Sequence, residues 1–218
     1  LPIDQKAIET FLKKEDMAAA NVDNRRVNCL ASGLAFELSE FLNMKDLKSV
    51  PVVANAVYRK DTPNGVFDEK PTISHRYLAV RSGVGYFGFS GNIIMETHGA
   101  GILLGSVVTS AELIPTPPLA PERNYCDQCR LCMASCASGL MSPDEVTSVT
   151  LGGETFTYSK RRSYNRCEYV CGGFSGLHPS GTWSTWSPGR FPIPEKDEDF
   201  LGALLKTIPA YRARKRKD

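Results

Sequence analysis

A bunched set of cysteines limits how this chain can fold more than any other feature of its sequence. The set comprises Cys126, Cys129, Cys132 and Cys136, followed further along by Cys167 and Cys171. The chain has seven cysteines, an odd number, and their clustering is typical of metal ligation under reducing conditions, not of a disulfide framework. The first four have the C-x2-C-x2-C-x3-C spacing of bacterial ferredoxins, in which three thiolates on one loop bind three corners of an iron–sulfur cubane. The sequence therefore predicts at least one 4Fe–4S cluster.

The same spacing leaves the number of clusters open. In two-cluster ferredoxins the fourth cysteine of the motif ligates the other cluster, so Cys136 is expected to point away from the first. Cys171 is then predicted to complete the first cluster, because Cys167 and Cys171 repeat the end of the motif. Too few cysteines remain for a second full set of four, so Cys136 and Cys167 either join an incomplete second cluster or bind none. A zinc site made by Cys126, Cys129, Cys167 and Cys171 is the alternative, but it gives Cys132 and Cys136 no role.

Composition and charge predict a globular protein with no strong electrostatic reason to bind nucleic acid or membranes. The chain has 218 residues, 42% of them hydrophobic, and a net charge of +2. A basic cluster near the C-terminus, Arg212 to Lys217, predicts a solvated terminus, with an anionic partner as the alternative. No apolar run or signal pattern stands out, which predicts a cytoplasmic protein. The first residue is Leu1, so an export signal that has been removed stays open.

The prolines between Pro115 and Pro121 predict a linker, because they cannot continue a helix or a central strand. They divide the chain into a core over residues 1–114, a cysteine module over 115–180 and an irregular C-terminal segment over 181–218. Apolar periodicity predicts helices around Ile8–Leu12, Val27–Leu42 and Thr72–Val80, and strands at Val52–Tyr58, Ile93–Met95 and Ile102–Thr109. The longest helix is expected to bury Cys29 and the face made by Val27, Leu30, Leu34, Leu38, Phe41 and Leu42. Paired strands with helices around them predict an α+β class.

A glycine cluster, Gly83-Val-Gly85-Tyr-Phe-Gly88, matches the dinucleotide-binding fingerprint. That fingerprint must follow a strand and open a helix, whereas here a helical pattern precedes it and a strand follows. The order argues against a Rossmann site. Two interpretations remain open: glycines required by tight backbone turns, or a loop that lets the backbone approach a flat or bulky ligand.

In order and spacing, these motifs resemble the cobalamin-dependent iron–sulfur reductases, the family of reductive dehalogenases and epoxyqueuosine reductases. The resemblance runs from about Asp68 to Cys171, through the stretch from Arg81 to Met95, then Gly101–Thr109, the proline linker and both cysteine groups. It implies a nitroreductase-like α+β core that binds cobalamin and a ferredoxin-like module that places a cluster near cobalt. It also implies a set of residues lining the corrinoid: Gly83, Gly85, Gly88, Ser90, Gly91, Asn92 and Thr109.

The resemblance further implies a proton donor, which the sequence does not determine. Asp68, ahead of Pro71, resembles the acid of epoxyqueuosine reductases, although the stretch to Gly83 is one residue longer. Tyr77 beside Arg76, or Tyr58 beside Arg59, resembles the tyrosine donor of dehalogenases. Each also has an ordinary interpretation as a surface or half-buried side chain.

Three functions of different classes follow from these observations. The favoured expectation is a dehalogenase-like reductase, in which electrons pass from a cluster to cobalt for reductive cleavage of a bond in a small-molecule substrate. The alternative enzyme is an epoxyqueuosine reductase that acts on tRNA. A second is a non-catalytic corrinoid carrier or an electron-transfer protein that reduces a partner's corrinoid. A third is a flavin enzyme of nitroreductase type with an added cluster. The favoured expectation includes a low-potential electron donor as a partner.

Overall fold

The computed structural model describes residues 1–13, 15–54, 73–175, 189 and 191–215. The chain forms two compact units. The first contains Leu1–Gly88, Asn92–Asp127 and Leu151–Glu154; the second contains Phe89–Gly91, Gln128–Thr150 and Thr155–Asp218. The division after Asp127 lies later in the chain than the proline linker, whose role as a domain boundary stays a prediction.

Two helices and a small sheet make up much of the first unit. Helix α1 covers Gln5–Leu12 and helix α2 covers Met17–Asn43. Each begins at an aspartate whose carboxylate accepts backbone N–H groups of the first turn, Asp4 for α1 and Asp16 for α2. Helix α2 packs on strands β1 (Ser49–Val52) and β4 (Ser106–Thr109), which pair antiparallel. The structure thus confirms that the two predicted segments are helical.

The buried face of α2 differs from the one that the sequence predicts. Val27 is buried as expected, but the rest of the buried face consists of small residues, Ala31, Ala35 and Ser39. The larger predicted residues are about half exposed: Leu30, Leu34, Leu38 and Phe41. Cys29 lies in α2 but is exposed, so its predicted burial is wrong. Within the described residues, no helix has both the length and the apolar character needed to cross a bilayer.

Small residues face the sheet because the helix comes very close to the chain leading into β4. A Cβ atom added to Gly105 would lie 2.7 Å from the carbonyl oxygen of Ala31, which is shorter than any normal contact. A leucine on this face of α2 would hold the two backbones apart. The helix therefore buries its alanines and leaves its leucines half exposed.

Helix α3 and a short hairpin follow in the first unit. Helix α3 covers His75–Arg81, confirming the predicted helix with a later start, and β2 (Tyr86–Phe87) pairs antiparallel with β3 (Ile93–Ile94). The predicted strand from Val52 begins earlier, as β1, and residues 55–58 lie outside the described part. The predicted strand 102–109 is shorter, as β4, and it pairs with β1 and not with β3.

Within the described residues, the second unit contains three helices and most of a hairpin that the sequence did not indicate; the turn of the hairpin, Leu151–Glu154, is grouped with the first unit. After the short helix α4 (Leu131–Ala134), strands β5 (Met141–Leu151) and β6 (Glu154–Arg161) pair through a turn at Gly152 and Gly153. Both glycines have positive φ, as a two-residue hairpin turn requires. Helix α5 covers Tyr164–Val170.

The C-terminal segment, predicted to be irregular, contains helix α6 over Asp199–Lys215. Its first turn packs into the core of the second unit. The buried residues of this core are Ala137, Tyr169, Val170 and Phe200, with Phe174, Phe191, Ile193, Ala203 and Leu204 around them. The prediction of an irregular segment is therefore wrong over Asp199–Lys215, whereas the predicted solvation of the basic cluster stays a prediction. The sequence was misleading because Pro209 and the basic residues obscure the helical pattern.

Candidate iron–sulfur site

The cysteine loop has an unusual backbone. Gln128 and Arg130 both have positive φ, 58° and 60°, although neither is glycine. The left-handed conformation costs an ordinary residue roughly 1–2 kcal/mol, and such residues concentrate at functional sites. Helix α4 starts directly after Arg130 and contains Cys132. Cys129 and Cys132 are both exposed, so this loop presents two thiols to an incoming metal centre.

Cys136 follows α4 and is half-buried, with polar groups directed at its sulfur. The backbone N–H of Leu140 donates to Cys136 Sγ over 3.4 Å, and Ser138 Oγ lies 3.4 Å from the same sulfur. Hydrogen bonds of this kind stabilise a thiolate and tune the potential of an iron–sulfur cluster. The surroundings of Cys136 therefore suit a metal-bound sulfur.

Helix α5 places Cys167 and Cys171 one turn apart. A hydrogen bond with Cys167 raises the pKa of the Cys171 thiol, and burial of the thiol and the negative charges of Cys167, Cys136 and Glu168 act in the same direction. Cys136 must therefore lie in the same neighbourhood as the two later cysteines. A thiol has to lose its proton to bind a metal, so binding of a metal centre at Cys171 releases a proton.

Arg166 connects the elements that carry these three cysteines. Its Nε donates to the carbonyl oxygen of Ser138 over 3.0 Å, and its Nη1 donates to Asp197 Oδ1 over 2.7 Å. Its guanidinium also stacks over the ring of Phe200, 4.7 Å from the centroid. The side chain is only 8% exposed, which is rare for a charged group and requires these partners. Sequence reasoning missed Arg166.

The complete ligand set stays a prediction. In the part of the chain that the structure describes, no three His, Cys, Asp or Glu side chains converge as ligands of one metal ion. Cys126 belongs to the first unit, whereas Cys129 and Cys132 belong to the second. The N–H of Cys126 donates to Asn124 Oδ1 over 3.1 Å. In a cubane each cysteine binds a different iron, so its ligands stand further apart than those of one zinc ion.

The predicted corrinoid-lining glycines are explained by packing inside the first unit. A Cβ atom added to Gly83 would lie 2.5 Å from the carbonyl oxygen of Pro117. One added to Gly85 would lie 2.5 Å from Ile93 Cγ2, and one added to Gly88 would overlap Ile94 Cδ1. Gly83 also has a φ of +70°. At Gly83 and Gly85 backbone atoms leave no room for a side chain, whereas at Gly88 the obstructing atoms belong to the side chain of Ile94. The interpretation as a tight backbone turn is therefore supported at Gly83, and packing against β3 accounts for Gly85. The approach of a corrinoid to the same loop stays a prediction.

The other predicted corrinoid contacts are divided between the units. Thr109 ends β4, where its Oγ1 accepts from Ala111 N–H, and the carbonyl oxygen of Asn92 accepts from Gly88 N–H. In the second unit, the carbonyl oxygen of Ser90 accepts from Arg161 Nε over 3.0 Å. Gly91 there has a φ of +71°, and a Cβ atom on it would lie 2.6 Å from the ring of Tyr158.

Of the three predicted proton donors, only Tyr77 is described. It lies in α3, and its ring packs edge-on against Phe87 with 5.9 Å between centroids. Asp68 and Tyr58 lie outside the described residues, as do Arg59 and Pro71.

A groove in the first unit was not indicated by the sequence. It has a volume of about 360 Å³ and is mostly apolar, with Leu34, Leu38 and Leu78 in its walls. His75 and Ser106 also line it, and His75 Nδ1 lies 2.7 Å from Ser106 Oγ. His75 Nε2 lies 2.9 Å from the carbonyl oxygen of Val53, which fixes Nε2 as the protonated nitrogen of the neutral ring. Burial lowers the pKa of His75, partly offset by that hydrogen bond.

Comparison with known proteins supports part of the resemblance. No protein-family model matches the chain. Among curated proteins, it is 34% identical over 64 residues to the epoxyqueuosine reductase of Synechococcus sp. (strain RCC307), a match that covers 29% of this chain and 19% of that protein. It is 38% identical over 64 residues to the epoxyqueuosine reductase of Atelocyanobacterium thalassa, covering 29% of this chain and 20% of that one.

A third match, to the epoxyqueuosine reductase of Francisella cf. novicida, is 24% identical over 81 residues and covers 37% of this chain and 22% of that protein. The matched region thus spans about a fifth of the length of each curated relative. All three names favour the epoxyqueuosine reductase alternative over the dehalogenase expectation. The chain is similar, over part of its length, to epoxyqueuosine reductases.

Proposed function

We propose that this chain is the cofactor-binding part of an iron–sulfur and cobalamin reductase of the epoxyqueuosine reductase type. The observation that carries the proposal is the grouping of Cys136, Cys167 and Cys171, in a chain whose loop with Cys129 and Cys132 has two non-glycine residues with positive φ. The partial similarity to three epoxyqueuosine reductases supports it independently. On this proposal, the earlier part of the chain is a nitroreductase-like core and the later part is a ferredoxin-like module.

The residues of the chain have separate tasks in this proposal. Cys126, Cys129 and Cys132 offer three thiolates, and Cys171, which is exposed like Cys129 and Cys132, offers a fourth. Cys136 and Cys167 are half-buried and are the remaining candidates. The N–H group of Leu140 stabilises negative charge on the Cys136 sulfur. When bound, the cluster and the corrinoid supply low-potential electrons and reductive bond cleavage. The substrate on this proposal is epoxyqueuosine in tRNA, and a small-molecule electron donor or a redox protein supplies the reducing power.

The first experiment measures whether the chain holds iron and sulfide. Protein prepared and reconstituted without oxygen should contain iron and inorganic sulfide, show broad absorbance near 400 nm, as a 4Fe–4S cluster does, and give an electron paramagnetic resonance signal after reduction. Cys136→Ser should change that signal or lower the iron content. Cys29→Ser is the matched control, because Cys29 is exposed on α2 in the other unit and should have no effect. A colourless protein that holds zinc in place of iron would refute the proposal.

The second experiment addresses cobalamin and the substrate. The reconstituted protein is titrated with cobalamin at micromolar concentration and the corrinoid spectrum is followed for binding. Turnover is then compared on an RNA stem-loop that carries epoxyqueuosine and on a chlorinated aromatic compound. Activity on the RNA alone is expected. Turnover of the chlorinated compound alone would restore the dehalogenase expectation, and absence of cobalamin binding would end the corrinoid part of the proposal.

A further inference from the structure

We propose that Arg166 is a positioning residue of the iron–sulfur site, which holds the Cys136 segment against the helix that carries Cys167 and Cys171. This inference rests on the proposed function, because it concerns cysteines assigned there as ligands. It adds a residue that belongs to neither cysteine motif and that binds no metal itself.

The first argument is the position of the two groups that Arg166 joins. Arg166 directly precedes Cys167 in α5, and its Nε donates to the carbonyl oxygen of Ser138, two residues after Cys136. The whole β5–β6 hairpin lies between these segments in the sequence. One hydrogen bond of 3.0 Å therefore fixes the distance between two cysteine-bearing segments that are remote along the chain.

The second argument is that the guanidinium is held from several sides. Its Nη1 donates to Asp197 over 2.7 Å, and its plane stacks on Phe200 at the start of α6. The other oxygen of the Asp197 carboxylate accepts from the N–H of Ser163, the residue that caps α5. The arginine thus cannot swing away without breaking an ion pair that also anchors the beginning of its own helix.

The third argument is the shape of the side chain. An arginine presents donors in a rigid planar fork, so the bonds to Ser138 and Asp197 constrain its direction as well as its distance. Lysine would bring the same charge but only a single ammonium group, which cannot reproduce the two directed bonds and the stacking on Phe200. A positioning role therefore predicts that lysine does not substitute for arginine.

The test compares cluster retention in reconstituted chains of residues 1–218. Wild type, Arg166→Gln, Arg166→Lys and Asp197→Asn are exposed to an iron chelator, and loss of the visible absorbance is timed. Arg161→Gln is the matched control, because Arg161 Nε makes a bond of the same length, 3.0 Å, to the carbonyl oxygen of Ser90 in the same unit. Mutating partners that orient metal ligands costs about 10–100-fold in metal affinity, so Arg166→Gln and Arg166→Lys should lose the cluster at least about tenfold faster than wild type.

Spectroscopy separates positioning from general destabilisation. The reduced clusters of both Arg166 variants should show shifted g-values, whereas Arg161→Gln should match wild type. Wild-type retention and g-values in Arg166→Gln would overturn the inference; if that variant does not fold, the same result in Asp197→Asn overturns it. A wild-type chain that binds no cluster would instead refute the proposed function, so the two failures are distinguishable.

Discussion

Replacing Gly83 by alanine tests whether the glycine loop is shaped by its own packing or by a ligand. The new Cβ would lie 2.5 Å from the carbonyl oxygen of Pro117, which is backbone and cannot rotate away. The φ of +70° costs an alanine roughly 1–2 kcal/mol, and displacing a packed neighbour costs about 1–3 kcal/mol. The ligand-free Gly83→Ala chain should therefore be destabilised by about 2–5 kcal/mol.

Two other glycines of the same unit separate these contributions. Gly99 has a φ of +54° but open space around its Cβ position, so Gly99→Ala should cost only the backbone contribution, roughly 1–2 kcal/mol. Gly33 lies within α2 and also has open space, so Gly33→Ala should stabilise the chain by about 0.5–1 kcal/mol. The difference between Gly83→Ala and Gly99→Ala isolates the clash with Pro117.

The assay is urea unfolding of protein made without corrinoid, followed by circular dichroism and by intrinsic fluorescence. The expected order of stability is Gly33→Ala, wild type, Gly99→Ala and then Gly83→Ala. Equal stability of Gly83→Ala and Gly99→Ala would refute the packing argument. A Gly83→Ala chain that keeps wild-type stability but no longer binds cobalamin would show that the ligand, and not Pro117, requires the glycine.

Three further predictions concern the two cores. Burial lowers the pKa of His75, so as the pH falls below about 6.5 the unfolded chain is protonated before the folded one, and the free energy of unfolding should fall by up to about 1.4 kcal/mol per pH unit. Urea titrations at several pH values should show that this free energy depends less steeply on pH in His75→Gln than in wild type. The same pH dependence in both proteins would contradict the prediction. Val27→Ala should lower the free energy of unfolding by about 2 kcal/mol and Leu34→Ala by less than about 0.5 kcal/mol, because the Val27 side chain is 1% exposed and that of Leu34 is 58% exposed. Equal losses of stability in thermal unfolding would contradict the buried face described for α2. Tyr169→Phe should cost about 1 kcal/mol, since its hydroxyl donates to Pro192 O over 2.8 Å, and an unchanged midpoint would show that this bond contributes nothing.

The ligand set of the cysteine site stays a prediction of the sequence, whereas the fold around it differs from the prediction in several places. Ferredoxin spacing singles out Cys129, Cys132 and Cys136 because it is a local pattern within one short stretch of chain. It could not identify Arg166, whose partners Ser138 and Asp197 are 28 and 31 residues away. No local pattern marks a charged side chain that will be buried, since burial depends on which segments meet in three dimensions. The β5–β6 hairpin was missed because polar and charged residues occupy both strands of a partly solvated pair.

The wrong face of α2 and the ambiguous glycines have one physical cause. Periodicity ranks residues by size and apolar character, so it assigns Leu30, Leu34 and Leu38 to the core. Where two backbones come close together, small residues are required instead. The carbonyl oxygen of Ala31 lies 2.7 Å from the position that a Cβ atom on Gly105 would take, so a side chain there would clash. The same reasoning applies at Gly85, where the strand at Ile93 and Ile94 leaves no room for a side chain. Ala31, Gly85 and Gly105 therefore mark places where two segments touch, and a sequence pattern that resembles a ligand loop can arise from packing alone.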